Sequence, residues 1–392
     1  MRVLFLTHAF PRQSGDVAGA FLLRLARALV DAGTEVQVLA PASAGLPARE
    51  VIEGIPVERF RYAPGTWETL AYTGTLAEQF TTSWTGKVAL AGLIGGGALA
   101  VRRAAPRHGT DLVHAHWWIP GGVSARLARL TGGAPYVLTL HGYDVLMLKR
   151  SRAARMMARG VLRGARVVTA ASSYLAAEAA RVAGIDPARI VVQPMPTEVS
   201  GVMGEGGGGV VTVGRLTPFK RLDLLIDAMA ALKARGRSVR LTIVGDGTER
   251  AALEQRARDR GIAPTTVFVG TVAPDRVAAT IAHADLFAFP AENEGLGLAA
   301  AEALMLGIPV VAAKSGGVPD IVPATGAGRL VTPGDLEGFV AAIATVLDDP
   351  KARVRAREVG TALRRQLAPG AVARVFFDVY QRALRSGLHN PE

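Results

Sequence analysis

The stretch that decides the fold runs from Asp285 to Val322: DLFAFPAENEGLGLAAAEALMLGIPVVAAKSGGVPDIV. Its apolar run 286–289 predicts a buried strand, and the alanine-rich run that follows Gly297 predicts a helix. Gly307 stands where that helix should stop, and the apolar residues after Pro309 predict the next strand. The stretch is therefore one strand–loop–helix–strand unit with a polar loop.

This polar loop is where chemistry is expected. The first turn of a helix exposes unpaired backbone N–H groups and the positive end of the helix dipole, which together favour a phosphate. Gly295 and Gly297 leave room for such a group, and Glu294 and Glu302 flank the same turn. Carboxylates accept hydrogen bonds from hydroxyl groups, which are the chief polar groups of sugars. A phosphate seat between two hydroxyl acceptors indicates a sugar nucleotide.

Length and composition limit the possible classes of protein. A chain of 392 residues is long for one hydrophobic core, which predicts two domains. The net charge of +12 favours an anionic partner, such as a lipid surface or a phosphorylated substrate, although a solvated basic surface is the simpler explanation. Basic and aromatic residues do not interleave, so no nucleic acid partner is predicted. The lack of cysteine excludes disulfides and thiolate metal sites and favours a cytoplasmic location.

Strand-like and helix-like segments alternate along the whole chain, which predicts α/β domains with parallel sheets and helices on both faces. Proline residues and the glycine run 206–209 mark a composition break and predict a linker at 197–209. The predicted domains are 1–196 and 210–370, and a last helix at about 371–386 is expected to pack back on the first domain. The predicted strands are Val3–Leu6, Glu35–Leu39, Asp111–His114, Val137–Leu140, Val167–Thr169, Ile190–Val192, Val210–Val213, Leu241–Val244, Val267–Val269, Leu286–Phe289, Pro309–Ala312 and Arg329–Val331.

One apolar stretch, VALAGLIGGGALAV at Val88–Val101, is too short for a transmembrane helix. Lys87 before it, and Arg102, Arg103 and Arg107 after it, suit a helix that lies on an anionic membrane surface. A helix packed in a domain core, or one that covers an acceptor cleft, is the favoured alternative. Peripheral contact with the inner face of a membrane therefore stays open, and the whole segment 45–109 carries no recognisable motif.

The second half of the chain resembles the retaining glycosyltransferases of family 4, the group 1 transferases, through VGRLTPFKRLDLLIDAM, TIVGDGTE, FVGTV and the ENEGLGLAAAEALMLGIPVV stretch. The first half is similar at FPRQSGDVAGAF, DLVHAHWW and TLHGYD. This resemblance implies a GT-B fold, with two Rossmann-like doubly wound domains facing across a cleft. It also implies transfer of a hexose-type sugar from a UDP- or GDP-sugar to an acceptor hydroxyl, with retention by front-face substitution. No metal or other cofactor is expected, since the nucleotide sugar is a substrate.

The resemblance further implies a role for individual residues. Arg215 and Lys220 would bind the donor diphosphate, Glu294 the hydroxyls of the transferred sugar, and Glu302 the ribose. His141, at the predicted end of a strand, would lie near the reacting bond. Contacts to the donor are also assigned to Gly15, Gly245, Val269, Val272, Asn293, Gly295, Leu296, Gly297 and Leu298. The acceptor, a glycan, lipid-linked sugar or small molecule, is assigned to Asp16, His116 and Asp144.

The sequence departs from the family pattern at three single positions and at Pro194-Met195-Pro196, which lacks the usual asparagine-and-glycine turn. Leu296 replaces an aromatic residue, Arg221 replaces a glycine, and Asp320 replaces a glutamate, which leaves the donor sugar undefined. Two other classes of function remain open. Gly295-x-Gly297-x-x-Ala300 loosely fits the fingerprint of a dinucleotide-dependent oxidoreductase, but that fingerprint normally follows a domain's first strand. The net charge and the apolar stretch also fit a membrane-surface protein without catalytic activity.

Overall fold

The computed structural model describes residues 1–16, 18–64, 67–68, 70–72, 84–149, 151–201, 203–322 and 326–385. The chain forms two compact units. The first contains Met1–Pro196 and the C-terminal segment that begins at Pro369, and the second contains Thr197–Ala368.

Each unit is built on one sheet. The first unit has eight strands in the order β3-β4-β2-β1-β5-β6-β7-β8, and the second has six in the order β11-β10-β9-β12-β13-β14. Neighbouring strands are parallel except for the antiparallel pair β3 and β4. The strands are β1 (Arg2–Leu6), β2 (Glu35–Pro41), β3 (Arg49–Ile52), β4 (Ile55–Phe60), β5 (Leu112–His116), β6 (Tyr136–Leu140), β7 (Val167–Ala170), β8 (Ile190–Val192), β9 (Val210–Val213), β10 (Leu241–Val244), β11 (Thr266–Gly270), β12 (Leu286–Phe289), β13 (Val310–Ala313) and β14 (Gly328–Val331).

Helices connect the strands and cover both faces of each sheet, as crossover connections between parallel strands require. The helices are α1 (Ala20–Asp31), α2 (Trp84–Arg107), α3 (Val123–Leu130), α4 (Tyr143–Leu146), α5 (Arg152–Gly164), α6 (Ser173–Ala183), α7 (Leu222–Ala234), α8 (Arg250–Asp259), α9 (Pro274–Ala282), α10 (Leu298–Met305), α11 (Leu336–Asp348), α12 (Ala352–Leu367) and α13 (Pro369–Arg385).

Two separate cores lie on the two faces of the first sheet. Helices α2, α3, α5 and α6 share one core, and helices α1 and α13 share the other. The C-terminal helix α13 contributes Phe376 and Tyr380, both fully buried beside Leu22 and Leu25 of α1. All residues of β5 and β6 are buried, because helices cover both faces of these central strands.

A β-hairpin in the first unit corrects the sequence prediction, which placed no strand between residues 45 and 109. Strands β3 and β4 are joined by Glu53 and Gly54, whose φ angles are 46° and 85°. Two successive left-handed residues form the tight turn that matches the twist of a hairpin. Ile55 and Val57 are buried while Pro56 between them is exposed. The alternation of buried and exposed residues next to the Glu-Gly pair is the sequence pattern that could have predicted the hairpin.

The glycine-rich segment before β9 is packed within the second unit, which corrects the prediction of a linker at 197–209. The Asp285 carboxylate accepts hydrogen bonds from the backbone N–H groups of Gly207 (2.7 Å) and Gly209 (2.9 Å). A Cβ atom at Gly204 would lie 2.2 Å from the carbonyl oxygen of Ala282, so only glycine fits there. These glycines therefore allow close packing within the second unit.

Candidate active site

The carboxyl edge of the second sheet holds most of the predicted site. From β9 the chain moves outward through β10 and β11, and it then returns to the other side of β9 with β12. The loops after β9 and β12 therefore lie at a topological switch point, the place where open α/β sheets bind ligands. Lys220 follows β9, and Glu294 follows β12.

Lys220 and Glu294 form an ion pair at this switch point. Their Nζ and Oε2 atoms are 2.6 Å apart, and each side chain is about one quarter exposed, 24% and 26%. The Lys220 ammonium also lies 4.9 Å from the centre of the Phe289 ring, within the range of a cation–π interaction. An ammonium group has three N–H donors, so this contact leaves donors free for an anion.

A second ion pair braces the same two loops, and the sequence did not predict it. The Arg221 guanidinium binds the carboxylates of Glu292 and Asp223, and the backbone N–H of Glu292 donates to the carbonyl of Phe219 at 2.8 Å. Arg221 has φ 48°, a left-handed conformation that glycine adopts without strain. The glycine usual at this position in the family could therefore have indicated the left-handed backbone. Arg221 adopts that backbone conformation and adds a side chain that pairs with Glu292.

The predicted phosphate seat lies at the start of helix α10. Gly297 precedes the helix with φ 94°, and the backbone N–H groups of Leu298 and Ala299 have no acceptor among the described residues. Leu296 is 6% exposed and packs into the core, so this residue can offer only backbone groups. Glu302 is half-buried one turn into the same helix. The N–H groups and the helix dipole favour an anion here.

The loop that carries Glu294 is held on its other side by the loop after β13. The backbone N–H of Asn293 donates to Ser315 Oγ at 2.8 Å, and that of Gly317 donates to the Glu294 carbonyl at 3.0 Å. A Cβ atom on Gly316 would lie 1.9 Å from the same carbonyl oxygen. The Ser-Gly-Gly sequence after β13 therefore positions Glu294, a role that the sequence analysis missed.

The other residues of the second unit that were predicted to contact the donor lie along the same edge. Gly245 follows β10, and a Cβ atom there would lie 2.0 Å from the Gly214 carbonyl oxygen. Val269, at the end of the edge strand β11, is 38% exposed, and Val272 is half-buried just after it. Arg215, in the loop after β9, is exposed and has no ion-pair partner among the described residues. Its charge is therefore available to an anion.

The first unit has its own switch point, between β1 and β5. The loop after β1 contains Gly15, which is exposed with φ 81° and has open space around the position of a Cβ atom. Asp16 in this loop binds Arg12 at 2.6 Å, and this hydrogen bond is the main cause that lowers the pKa of Asp16 to about 2. Ser14 Oγ contacts Glu53 in the hairpin turn at 2.9 Å, so the hairpin supports the glycine loop.

Four histidines gather at the carboxyl edge of the first sheet: His8, His114, His116 and His141. His116 Nδ1 lies 3.2 Å from His141 Nε2, and the Trp117 ring lies 4.3 Å from the ring of His141. Burial lowers the pKa of His114 to about 3 and holds those of His116 and His141 well below their usual value. These imidazoles are therefore neutral near pH 7.

Two of the three predicted acceptor contacts are structural in the observed arrangement. His116 is fully buried, and Asp144 is 2% exposed. The Asp144 carboxylate accepts hydrogen bonds from the backbone N–H groups of Gly142 (2.9 Å) and Trp118 (3.1 Å), although burial raises its pKa. Asp144 thus fixes the backbone on either side of the His116–His141 pair. This corrects the acceptor assignment of both residues.

Two family models match the chain, one in each of its two units. Residues 204–362 match the model of glycosyl transferases group 1, and residues 18–196 match that of the glycosyl transferase 4-like domain. The 2-deoxystreptamine glucosyltransferase of Streptomyces kanamyceticus is 30% identical over 84% of this chain and 89% of its own length. A GDP-mannose-dependent α-(1-6)-phosphatidylinositol monomannoside mannosyltransferase of Mycolicibacterium smegmatis is 33% identical over 61% of this chain and 66% of its own length.

A solved structure shares the fold across the whole chain. The sucrose-phosphate synthase of Thermosynechococcus elongatus superposes with a TM-score of 0.78 at 20% identity, over 98% of this chain and 99% of that one. The two doubly wound parallel-sheet domains are thus those of a GT-B glycosyltransferase. The chain belongs to the group 1 glycosyltransferases and is an enzyme of carbohydrate biosynthesis, which sets aside the oxidoreductase and the non-catalytic alternatives.

Proposed function

We propose that this enzyme transfers a hexose from a UDP- or GDP-sugar to an acceptor hydroxyl, with retention of the anomeric configuration. The observation that carries the proposal is the Lys220–Glu294 pair, 2.6 Å apart at the switch point of the second sheet and next to the start of helix α10. A cation, free helix N–H groups and a carboxylate at one edge suit a diphosphate joined to a sugar.

In the proposed complex, Arg215 and Lys220 bind the diphosphate together with the N–H groups at the start of α10. These groups neutralise the charge that develops on the leaving nucleoside diphosphate, the main requirement when a phosphate ester departs. Glu294 accepts hydrogen bonds from hydroxyls of the transferred sugar, and Glu302 accepts those of the ribose. Lys220 then contacts both Glu294 and the diphosphate, so it links the position of the sugar to that of its leaving group.

We assign His141 to the transferred sugar. Because its pKa is held well below the usual value by burial, His141 acts as a neutral hydrogen-bonding group near pH 7. The proposed substitution takes place on one face of the sugar: the acceptor oxygen bonds to the anomeric carbon as the bond to the diphosphate breaks. The departing phosphate oxygen takes the proton of the acceptor hydroxyl, so no enzyme nucleophile is required.

No metal or cofactor enters the proposal, because Arg215, Lys220 and the helix N–H groups are given the task of charge neutralisation. Activity is expected to persist after dialysis against EDTA. Complete loss of activity, with recovery on addition of a divalent cation, would contradict this part of the proposal. The cytoplasmic location stays a prediction, and we further propose peripheral contact of the enzyme with an anionic membrane surface.

A panel of nucleotide sugars tests the donor class directly. The true donor should raise the midpoint of thermal unfolding by mass action and should be hydrolysed slowly in the absence of an acceptor. UDP-glucose, UDP-galactose and GDP-mannose are the first compounds to compare, with the free nucleotides as controls. The proposed function would be refuted if no nucleotide sugar stabilised the folded protein and none was hydrolysed by it.

A further inference from the structure

Three neighbouring helices of the first unit form one surface, which we call the cationic face: the outer sides of α2, α3 and α5. They pack on the same face of the sheet, where Val101, Ala128 and Val161 belong to one core. A Cβ atom on Gly97 of α2 would lie 2.9 Å from Ser124 Oγ of α3, and the Arg126 guanidinium of α3 lies against Gly164 of α5. The three helices are therefore side by side.

The charge of this face is of one sign. None of the three helices contains an aspartate or a glutamate, but together they contain one lysine and nine arginines: Lys87, Arg102, Arg103, Arg107, Arg126, Arg129, Arg152, Arg155, Arg159 and Arg163. Among the described residues, only Arg107 of this set forms an ion pair, with Glu58. The other nine charges are uncompensated by protein carboxylates, so the face attracts anions.

Large apolar side chains are exposed on the same helices. Seven of the fifteen exposed large apolar residues of the described chain lie here: Trp84, Val88, Leu99, Leu127, Leu130, Met156 and Met157. Trp84 and Met156 are 76% and 73% exposed. On α2, residues Trp84, Val88, Ala91, Gly95 and Leu99 follow one another at intervals of three or four, which places them along a single stripe.

The stripe faces away from the protein, while the opposite side of α2 is packed. Ala89, Leu93 and Val101 are each at most 2% exposed, so α2 belongs to the core of the first unit on that side. Helix α2 alone among the described helices has the length and hydropathy to cross a membrane, but 39% of its apolar window is buried within the protein. A helix anchored in this way can lie along a membrane surface without crossing the bilayer.

We propose that the cationic face binds the surface of an anionic lipid bilayer. The uncompensated charges attract anionic headgroups, and the exposed tryptophan, leucine and methionine side chains insert between the headgroups and the acyl chains. A nucleic acid would satisfy the charges but would offer no apolar layer for the α2 stripe. The inference gives a location to the proposed membrane contact, and it does not depend on which sugar is transferred.

Vesicle binding by the full chain tests the proposal. Wild-type protein should sediment with phosphatidylcholine vesicles that contain 30% phosphatidylglycerol, should not sediment with phosphatidylcholine alone, and should be released by 0.5 M NaCl. Replacing Trp84 and Leu99 by serine, or Arg102 and Arg103 by glutamate, should each weaken binding about tenfold or more. Equal binding of wild type and both variants would overturn the assignment of the face.

A matched control changes the same number of charges elsewhere. Arg276 and Arg374 are exposed and lie outside the three helices, so replacing both by glutamate should change vesicle binding less than about twofold. An equal loss in this control would mean that net charge alone binds the vesicles, which overturns the proposal. Circular dichroism and thermal unfolding of every variant establish that the fold is kept.

Two further outcomes separate this inference from its competitors. If wild-type protein binds a polyuridylate RNA but no vesicles, and the glutamate variant loses that binding, the face is a nucleic acid site and the lipid proposal fails. Donor hydrolysis in the absence of vesicles should be equal in wild type and all surface variants, because none of the substituted residues is assigned to donor binding or to the reaction. Vesicle binding by a protein that hydrolyses no nucleotide sugar would support the face while refuting the proposed function.

Discussion

The two units place a switch point at the carboxyl edge of their sheets, but they equip it with opposite chemistry. In the first unit the buried part of the edge is neutral: His116 and His141 pair with each other beside Trp117, and burial keeps their pKa values low. In the second unit the edge is charged and partly exposed, with Lys220 bound to Glu294. A neutral edge is defined by packing, whereas a charged edge is defined by pairs that span two loops.

This difference suits the two halves of a transfer reaction. A diphosphate needs permanent positive charge, which lysine and arginine provide at any physiological pH. Groups near a reacting sugar need fixed hydrogen-bonding directions rather than charge, and buried neutral imidazoles provide these. The following predictions test each half of the comparison, from the largest expected effect to the smallest.

The largest effect is expected for Lys220→Ala in the charged edge. Loss of a cation that stabilises charge in the transition state typically lowers turnover by about 10² to 10³. The measurement is donor hydrolysis and transfer at saturating nucleotide sugar. Lys351→Ala is the matched control, because Lys351 is exposed at the start of α12 and its side chain does not cap that helix. Near wild-type turnover for Lys220→Ala in a folded protein would remove the diphosphate role.

The neutral edge predicts acid sensitivity of the first unit. The unfolded chain protonates histidine near pH 6.5, whereas the folded chain does not protonate His114 until about pH 3. Below pH 6.5 the unfolded state therefore binds more protons, and stability falls by about 1.4 kcal/mol per pH unit for each such histidine. At pH 5 the loss is about 2 kcal/mol from His114 alone, and His116 adds a loss in the same direction.

Tryptophan fluorescence measures this loss, because Trp67, Trp84, Trp117 and Trp118 all lie in the first unit. Urea unfolding at pH 7 and at pH 5 gives the free energy of unfolding at each pH. The slope of this free energy against pH gives the number of protons taken up on unfolding. The variant His116→Gln should reduce that slope by up to one proton below pH 6.5. A slope that is independent of pH would contradict a neutral buried cluster.

Glu302→Gln tests the ribose contact in the charged edge. The substitution keeps the size of the side chain and removes its charge, so charge-assisted hydrogen bonds to two hydroxyls become neutral ones. The donor KM should rise by about tenfold while turnover at saturation changes little. Steady-state kinetics with varied nucleotide sugar provide both values. An unchanged KM would assign Glu302 to another role.

The smallest effect is expected at the brace between the two loops. Arg221→Gly and Glu292→Gln each remove the ion pair, and glycine also relieves the left-handed backbone at position 221. Each variant should lower kcat/KM by about three- to tenfold, and the double variant should be no worse than either single one. Additive losses in the double-mutant cycle would show that the two side chains act independently.

Much of the second unit could be predicted from its sequence. Strands β9, β10 and β12 have the predicted limits, because short apolar runs bounded by glycine and polar residues are strong signals for buried strands. The start of α10 was also predicted, because an alanine-rich run follows Gly297. The hairpin β3–β4 was missed, since its strands are short, carry charged residues and lie at the edge of the sheet.

The contacts between distant residues could not be predicted. Nothing in the sequence near Lys220 indicates that Glu294 lies 2.6 Å away, because the strand order decides which loops meet. Proline residues and the glycine run 206–209 predicted a linker at 197–209, but Gly204 and Gly209 are required by close backbone contacts within the second unit. Glycine allows both a flexible backbone and a close approach of two backbones, and only the packing shows which of the two applies.

The sequence alone determined the class of fold, because alternating periodicity specifies parallel α/β units. It also predicted a phosphate seat between the carboxylates of Glu294 and Glu302. The tertiary structure decided which of those groups are charged, exposed and paired. His116 and Asp144 became parts of the scaffold since burial left them no access to solvent. It also brought α2, α3 and α5 side by side, which turns arginines dispersed along the chain into a single surface.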